Sequence, residues 1–203
     1  MDRLDDLLST AVPLLKRVDE VLATTGAPAD HELWPSLRRV RLLPWDAVQA
    51  VAALRPGQLA DAAPELRADA RSYAGVAESL PPPGTWSGDA AEAYDAARRH
   101  TADHLSGGPD SLDERLEASA DLADALTDWM RQTRGDLATT LAEVMTSAEG
   151  LSLSVAAAGP TAPEDARAAA DVAARVLERV ADSYDIALEL ITSSADLSTA
   201  RRL

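Results

Sequence analysis

SLDERLEASADLADALTDWMRQTRGDLATTLAEVMTSAEGL, residues 111–151, is the stretch whose reading decides the fold. Leu116, Ala123, Met130, Leu137, Val144 and Leu151 recur every seven residues, joined by Leu126 and Leu141. A seven-residue period keeps one stripe on one side of an α-helix. On a strand the same spacing would throw successive members to opposite faces. Ser111 and Glu114, three apart, read as a capping box that starts the helix. The segment is therefore predicted to be helical to about residue 150, roughly 60 Å at 1.5 Å per residue.

The same kind of pattern extends on both sides. Residues 150–162 read as a Gly/Ser/Ala/Pro connection. Thr161-Ala162-Pro163-Glu164 is a second capping box with proline at the first helical position. The last helix is predicted to run to about residue 198, seamed by Ala173, Val176, Leu177, Val180, Tyr184, Ala187 and Ile191. Upstream, Gly107-Gly108-Pro109 interrupts a helix over 88–105, whose stripe is Ala90, Tyr94, Ala97, Thr101 and Leu105. Before it, residues 58–80 carry Leu59, Leu66, Tyr73 and Leu80 every seven, with Ala63, Ala70 and Ala77 four later, a large–small seam suited to close helix pairing.

The N-terminal part is less regular. Residues 2–25 read as an amphipathic helix with Leu4, Leu7, Leu8, Val12, Leu15, Val18 and Leu22 on one face and a kink at Pro13. Residues 26–43 are predicted irregular, because Gly26, Pro28 and Trp34-Pro35 discourage a helix. A short helix over 44–54 follows, ended by Pro56-Gly57. The expected fold class is all-α, an antiparallel bundle of long hairpins. Three segments divide it: an N-terminal extension over 1–55, a helix–turn–helix over 56–107 and a second long hairpin over 108–203.

Composition agrees. Hydrophobic residues make up 46% of 203, so a core can form, while aromatics are 3% and phenylalanine is absent. Alanine-rich, aromatic-poor interiors suit closely packed helices rather than a sandwich or barrel. The formal net charge of −15 argues against nucleic acid and against an anionic membrane surface. Lys16 is the only lysine among the basic residues, a usage that with the abundant alanine fits a GC-rich genome. Without cysteine there are no disulfides or thiolate metal sites. The acidic start at Asp2, Asp5 and Asp6 is not a Sec-type signal peptide, and no stretch is long and apolar enough to span a bilayer.

Chemistry-bearing patterns are few. His100 and His104, four apart, share a helix face, but the nearby Asp103 and Asp95 do not complete a zinc motif, and two solvent-facing histidines are the plainer reading. Gly84-Thr85-Trp86-Ser87-Gly88 has its serine out of register for a nucleophile elbow and no strand before it. Arg134-Gly135-Asp136 spells an adhesion tripeptide, yet falls inside a helix. The carboxylates are scattered on polar faces, with no pair isolated where one pKa would rise. No catalytic residue, metal ligand, cofactor or small-molecule substrate is expected, and the chain reads as a non-enzyme. A metal-dependent enzyme stands as a third reading, tested by metal analysis and His100→Ala.

Attention therefore falls on the turn between the two central helices. Pro81-Pro82-Pro83-Gly84 stops the first helix. Ser87 is placed to cap the next, with Asp89 in its positive first turn. Trp86 is expected to pack beneath the elbow, so that Trp86→Ala would cost about 3–5 kcal/mol. Gly88 is expected to permit close backbone approach. Trp86, Ser87, Gly88 and Tyr94 are the candidate interaction residues.

This Trp-x-Gly turn between amphipathic helices, followed by Asp89-Ala90-Ala91-Glu92-Ala93-Tyr94, resembles the WXG100 (ESAT-6-like) superfamily. The resemblance covers the central hairpin. It implies a helical protein of a type VII (ESX) secretion system, a substrate or interaction partner acting by helix–helix recognition, cytoplasmic before export by a route without a signal peptide, then secreted or associated with the cell envelope. A protein partner is implied: a WXG-family protein, an effector or the secretion machinery. The family's Tyr-x-x-x-Asp/Glu signal is not written here, since Ala77, Arg98 and Leu188 follow Tyr73, Tyr94 and Tyr184 by four. The alternative is a cytoplasmic adaptor or chaperone for a secreted toxin or effector. Small family members pair two hairpins into a four-helix bundle. Here residues 58–105 and 111–198 supply two hairpins, so one chain is expected to build the whole bundle.

Overall fold

The computed structural model describes residues 2–108, 110–155 and 163–200, with side chains described as far as 195. Among these residues the protein is all-helical, without strands, and forms a helical bundle. Its elements are α1 (Arg3–Thr25), α2 (Leu33–Val40), α3 (Pro44–Ala52), α4 (Pro56–Ala60), α5 (Ala62–Ser79), α6 (Asp89–Leu105), α7 (Leu112–Thr146), α8 (Ala148–Val155) and α9 (Pro163–Ala200). Thr161 and Ala162 of the expected second capping box lie outside the described residues, but Pro163 does open α9.

The chain divides into two compact units. One comprises Met1–Arg55 with Trp129–Ala187, the other Pro56–Asp128 with Leu188–Leu203. Grouping by contact thus cuts across the chain-order segments 56–107 and 108–203, because α7 and α9 each contribute to both units.

The first unit holds the main core. Leu4, Leu15, Val18 and Val21 of α1 pack with Val48 and Val51 of α3, with Leu137, Leu141 and Val144 of α7, and with Val172, Val176 and Leu177 of α9. Each such side chain, fully buried, contributes roughly 1.5–3 kcal/mol before ordering entropy. The α1 stripe is rotated from the expected one: Ala11, Leu14 and Val21 are buried, while Leu7, Leu8 and Leu22 only border the core. Asp2 starts α1 with a capping box, its carboxylate accepting from the N–H groups of Leu4 and Asp5. The facing halves of α7 and α9 run antiparallel. Trp129 Nε1 donates to the Ser183 carbonyl, Asp136 lies opposite Arg179, and Glu149 of α8 reaches back to Arg175.

Three expectations about element boundaries fail, each for a local reason. Residues 26–43 are not irregular throughout, since α2 forms over Leu33–Val40. Pro35 falls in its first turn, where a missing N–H costs nothing. The Trp34 indole is pinned to the Pro28 carbonyl at 2.7 Å, and His31 Nδ1 accepts the Leu33 N–H. Pro56-Gly57 does not break the chain but opens the single turn α4, the favoured place for proline. Finally, the helix from 112 does not reach 150 intact. It stops at Thr146 and restarts at Ala148. Ser147 Oγ donates to the Val144 carbonyl and accepts the Gly150 N–H, a turn that competes with the straight helix. Leu151 consequently leaves the heptad stripe and is 53% exposed, and Leu153 is buried instead.

In the second unit the alanines of the α5 seam are the buried members. Ala63 packs with Ala120 and Ala123 of α7, flanked by Leu59 and Leu66. Tyr73 is exposed. Arg67 fixes α5 on α7, reaching Asp121 and Asp124 at 2.7 Å each and Glu117 at 3.5 Å. Of α6 only Ala91 is buried. The expected stripe of Ala90, Ala97 and Thr101 faces solvent. At the start of α7, Ser111 donates to Asp113 instead of capping the third residue.

Candidate interaction site

The turn between α5 and α6 belongs to the second unit. Leu80 leaves the helix with extended ψ, and Pro81–Pro83 carry the chain away. Gly84 and Gly88 both take the left-handed region, at φ 63° and 85°. Between them the Trp86 N–H donates to the Pro83 carbonyl at 3.3 Å.

Two of the four candidate residues are brought together. The Trp86 and Tyr94 rings lie 5.7 Å apart, tilted by 58°, and the Tyr94 hydroxyl donates to the Pro81 carbonyl at 2.9 Å. Tyr94 thus ties the first turns of α6 to the proline run. The other expectations are corrected. Trp86 is not packed beneath the elbow but 65% exposed, because its one aromatic neighbour covers only part of the ring. Ser87 does not cap α6. Gly88 occupies the cap position, and no side chain bonds to the first N–H groups there. Gly88 also has no close neighbour, since a Cβ there would meet nothing within 4 Å. Its need is for positive φ, which an L side chain adopts only with strain.

An open cleft of about 510 Å³ adjoins the indole, lined by Pro83, Trp86, Ala91, Glu92, Asp95 and Arg99. Asp95 is engaged by Arg99 and Arg98, whose guanidinium groups hold its carboxyl below the usual range. The surface is an exposed aromatic on a turn bounded by prolines and two positive-φ glycines, flanked by charges.

The first unit carries polar sites that composition and spacing did not reveal. Arg134, dismissed in the sequence as part of a tripeptide, is 4% exposed. Its guanidinium donates to Asp2, to Asp5 at 2.8 Å, and to the carbonyls of Ala52 at 2.7 Å and Leu54 at 3.3 Å. One side chain on α7 thereby closes the start of α1 and the end of α3. The hydrogen bond from Arg134 pulls the Asp2 carboxyl down to about 2. The partner residues lie more than 70 positions away, so no local pattern marked it.

Asp19 is a single carboxyl whose pKa rises, where the expectation considers only isolated pairs. Burial pushes it up to about 6, opposed by the Trp45 N–H it accepts and helped by the charge of Asp46. It serves as the cap of α3 from a different helix. His31 Nε2 meets Asp171 at 3.0 Å beside a second cleft of about 510 Å³, lined also by Arg167, Arg175 and Glu178. With Nδ1 accepting the Leu33 N–H, the proton sits on Nε2 and is directed to Asp171, so the ring acts as a brace between α2 and α9.

His100 and His104 are both exposed on α6. Among the described residues no group of three or more His, Asp or Glu side chains is placed to hold a metal, and no helix is long and apolar enough to cross a membrane. Comparison with known proteins returns no match, whether to a protein-family model, a characterised protein or a solved structure.

Proposed function

We propose that this chain is a non-enzymatic recognition protein of the WXG type, a substrate or interaction partner of a type VII secretion system that works through helix and turn surfaces. The observation that carries the reading is Trp86. It is the most exposed of the aromatic side chains on the described surface, held by Tyr94 on a turn whose geometry the two positive-φ glycines set without it. A large apolar ring left in water by a fold that does not need it is the mark of a contact residue. The resemblance of Trp86-Ser87-Gly88 and its helices supplies the class of partner: a WXG-family protein, an effector or the secretion machinery.

The decisive experiment is export from a host with and without an active secretion ATPase. The chain is expected in the supernatant only with the active ATPase, and Trp86→Ala is expected to reduce that amount while the purified variant keeps its melting temperature. Equal export of the variant, or export independent of the ATPase, refutes the reading. A cytoplasmic adaptor or chaperone is the second reading. The exposed Leu188 and Ile191 of α9 favour it, because they offer an apolar helical surface to a client. Retention in the cell together with a co-purifying secreted client distinguishes it.

A further inference from the structure

The cleft beside Trp86 has two walls of different chemistry. One is the indole itself, which is mostly exposed. The other is the face of α6 that carries Ala91, Glu92, Asp95 and Arg99. Tyr94 does not line the cleft. Its ring stands 5.7 Å from the indole and its hydroxyl is bound to the Pro81 carbonyl, so it holds Trp86 from outside and leaves the side toward the cleft open. The charges on the α6 wall are not equivalent. Both oxygens of Asp95 are occupied: Oδ1 accepts from Arg98 Nη2 at 2.8 Å, and Oδ2 accepts from Arg99 Nε at 2.9 Å and from Arg99 Nη2. The Nε–Nη2 edge of Arg99 is thereby occupied as well. Glu92 is exposed and, among the described residues, has no ion pair or side-chain hydrogen bond. Asp89, one turn earlier, is exposed and unpaired in the same way.

An incoming group therefore meets an open indole and a carboxylate without a counter-ion. Both attract a cation. We propose that the partner enters this cleft with an arginine side chain, its guanidinium stacked on the Trp86 indole and donating to the Glu92 carboxylate. Arginine is favoured over lysine because a planar guanidinium offers its face to a ring and its edge to a carboxylate at once. A cleft of about 510 Å³ has room for such a side chain and the backbone that carries it. The net charge of −15 acts in the same direction over longer range, drawing basic segments and repelling acidic ones. This contact rests on the reading of Trp86 as a partner-binding residue and adds what the partner brings to it.

The test is an NMR titration of the isotope-labelled full chain with two blocked peptides, each to about 20 mM. One has a single arginine between glycines. The other carries citrulline, the uncharged counterpart of arginine, in its place. The arginine peptide is expected to shift the Trp86 indole N–H saturably, and the citrulline peptide to bind at least about tenfold more weakly. Glu92→Gln is expected to weaken the arginine peptide to the level of the citrulline one. Glu92 is exposed, so the melting temperature of that variant should not change. Equal binding of the two peptides, the absence of a saturable shift at Trp86, or an arginine peptide indifferent to Glu92→Gln overturns the proposal. If one of these is found while Trp86→Ala still lowers export, the secretion reading stands and the arginine contact falls. If arginine binding holds while export is independent of the ATPase, the contact stands and the secretion reading falls.

Discussion

Arg134 and Asp19 are the two side chains whose environments contradict their position in a scattered, solvated set of charges. Removing Arg134 strips donors from two carbonyls at the end of α3 and a counter-ion from Asp2 and Asp5. Arg134→Met should therefore destabilise the fold by about 2–4 kcal/mol in urea denaturation. Arg134→Lys should recover little, because a single ammonium cannot span carboxylates and carbonyls as the planar fork does. Asp19 behaves oppositely. Its folded pKa of about 6 lies above the ordinary 3.8, so the folded state binds the proton more tightly. Its stabilising contribution is complete below 3.8 and is lost as pH rises through about 6. At pH 7 the ionised carboxylate is a cost. Asp19→Asn keeps an acceptor for the Trp45 N–H and removes that cost. The variant should exceed the wild type by about 1–2 kcal/mol at pH 7, partial exposure discounted, and lose the advantage near pH 4. A variant that is no more stable at pH 7 than at pH 4, relative to wild type, would show that Asp19 is solvated.

At the scale of elements, backbone conformation at two glycines separates what packing does from what the turn does. In the break between α7 and α8, a Cβ on Gly150 would lie 1.9 Å from the Val144 carbonyl oxygen, and backbone cannot yield that far. Gly150→Ala should cost at least about 2 kcal/mol, measured as a shift in the urea midpoint. At the α5–α6 turn the cost moves from the tryptophan to the glycine. Gly88→Ala meets open space but φ 85°, and should cost about 1–2 kcal/mol. Trp86→Ala, with its ring mostly in water, should change stability by less than about 1 kcal/mol. These differences mark where the sequence was legible. Heptad spacing located α5, α7 and α9, because a repeated stripe has only helical solutions. The Ser147 break and the α2 helix were hidden, since both depend on side chains that rescue backbone groups: the Ser147 hydroxyl, the His31 ring and the Trp34 indole. Trp86, Ser87 and Gly88 are legible as a turn motif, with Tyr94 in the helix that follows. Burial of Trp86 was inferred from residue type alone, and nothing in the local pattern says how much neighbouring surface will cover a ring. Arg134 and Asp19 were illegible for the complementary reason, their partners being long-range.

For the molecule as a whole these local terms combine into a pH profile with opposing limbs. Acidification from pH 7 toward 5 protonates Asp19 in favour of the folded state. It also begins to relieve the repulsion of a chain with net charge −15. Both effects raise stability. Below about 3.8 the sign reverses. Asp2, held near 2 by Arg134, and Asp5 and Asp113, lowered by the hydrogen bonds they accept, bind protons more readily unfolded than folded. Their stabilisation is present above the ordinary carboxylate value and is lost as pH falls through the folded one. The stability maximum is therefore expected between about pH 4 and 6. Urea midpoints measured from about pH 2.5 to 8 locate it. Two variants dissect the curve: Asp19→Asn should flatten the alkaline limb, and Arg134→Met should flatten the acid limb through loss of the Asp2 shift, whereas Asp5 keeps the hydrogen bond from the Asp2 N–H. A wild-type midpoint that falls steadily from pH 7 to 5 would contradict the first limb and with it the half-buried placement of Asp19. An acid limb unchanged in Arg134→Met would contradict the second, and would mean that the start of α1 is not held by that arginine.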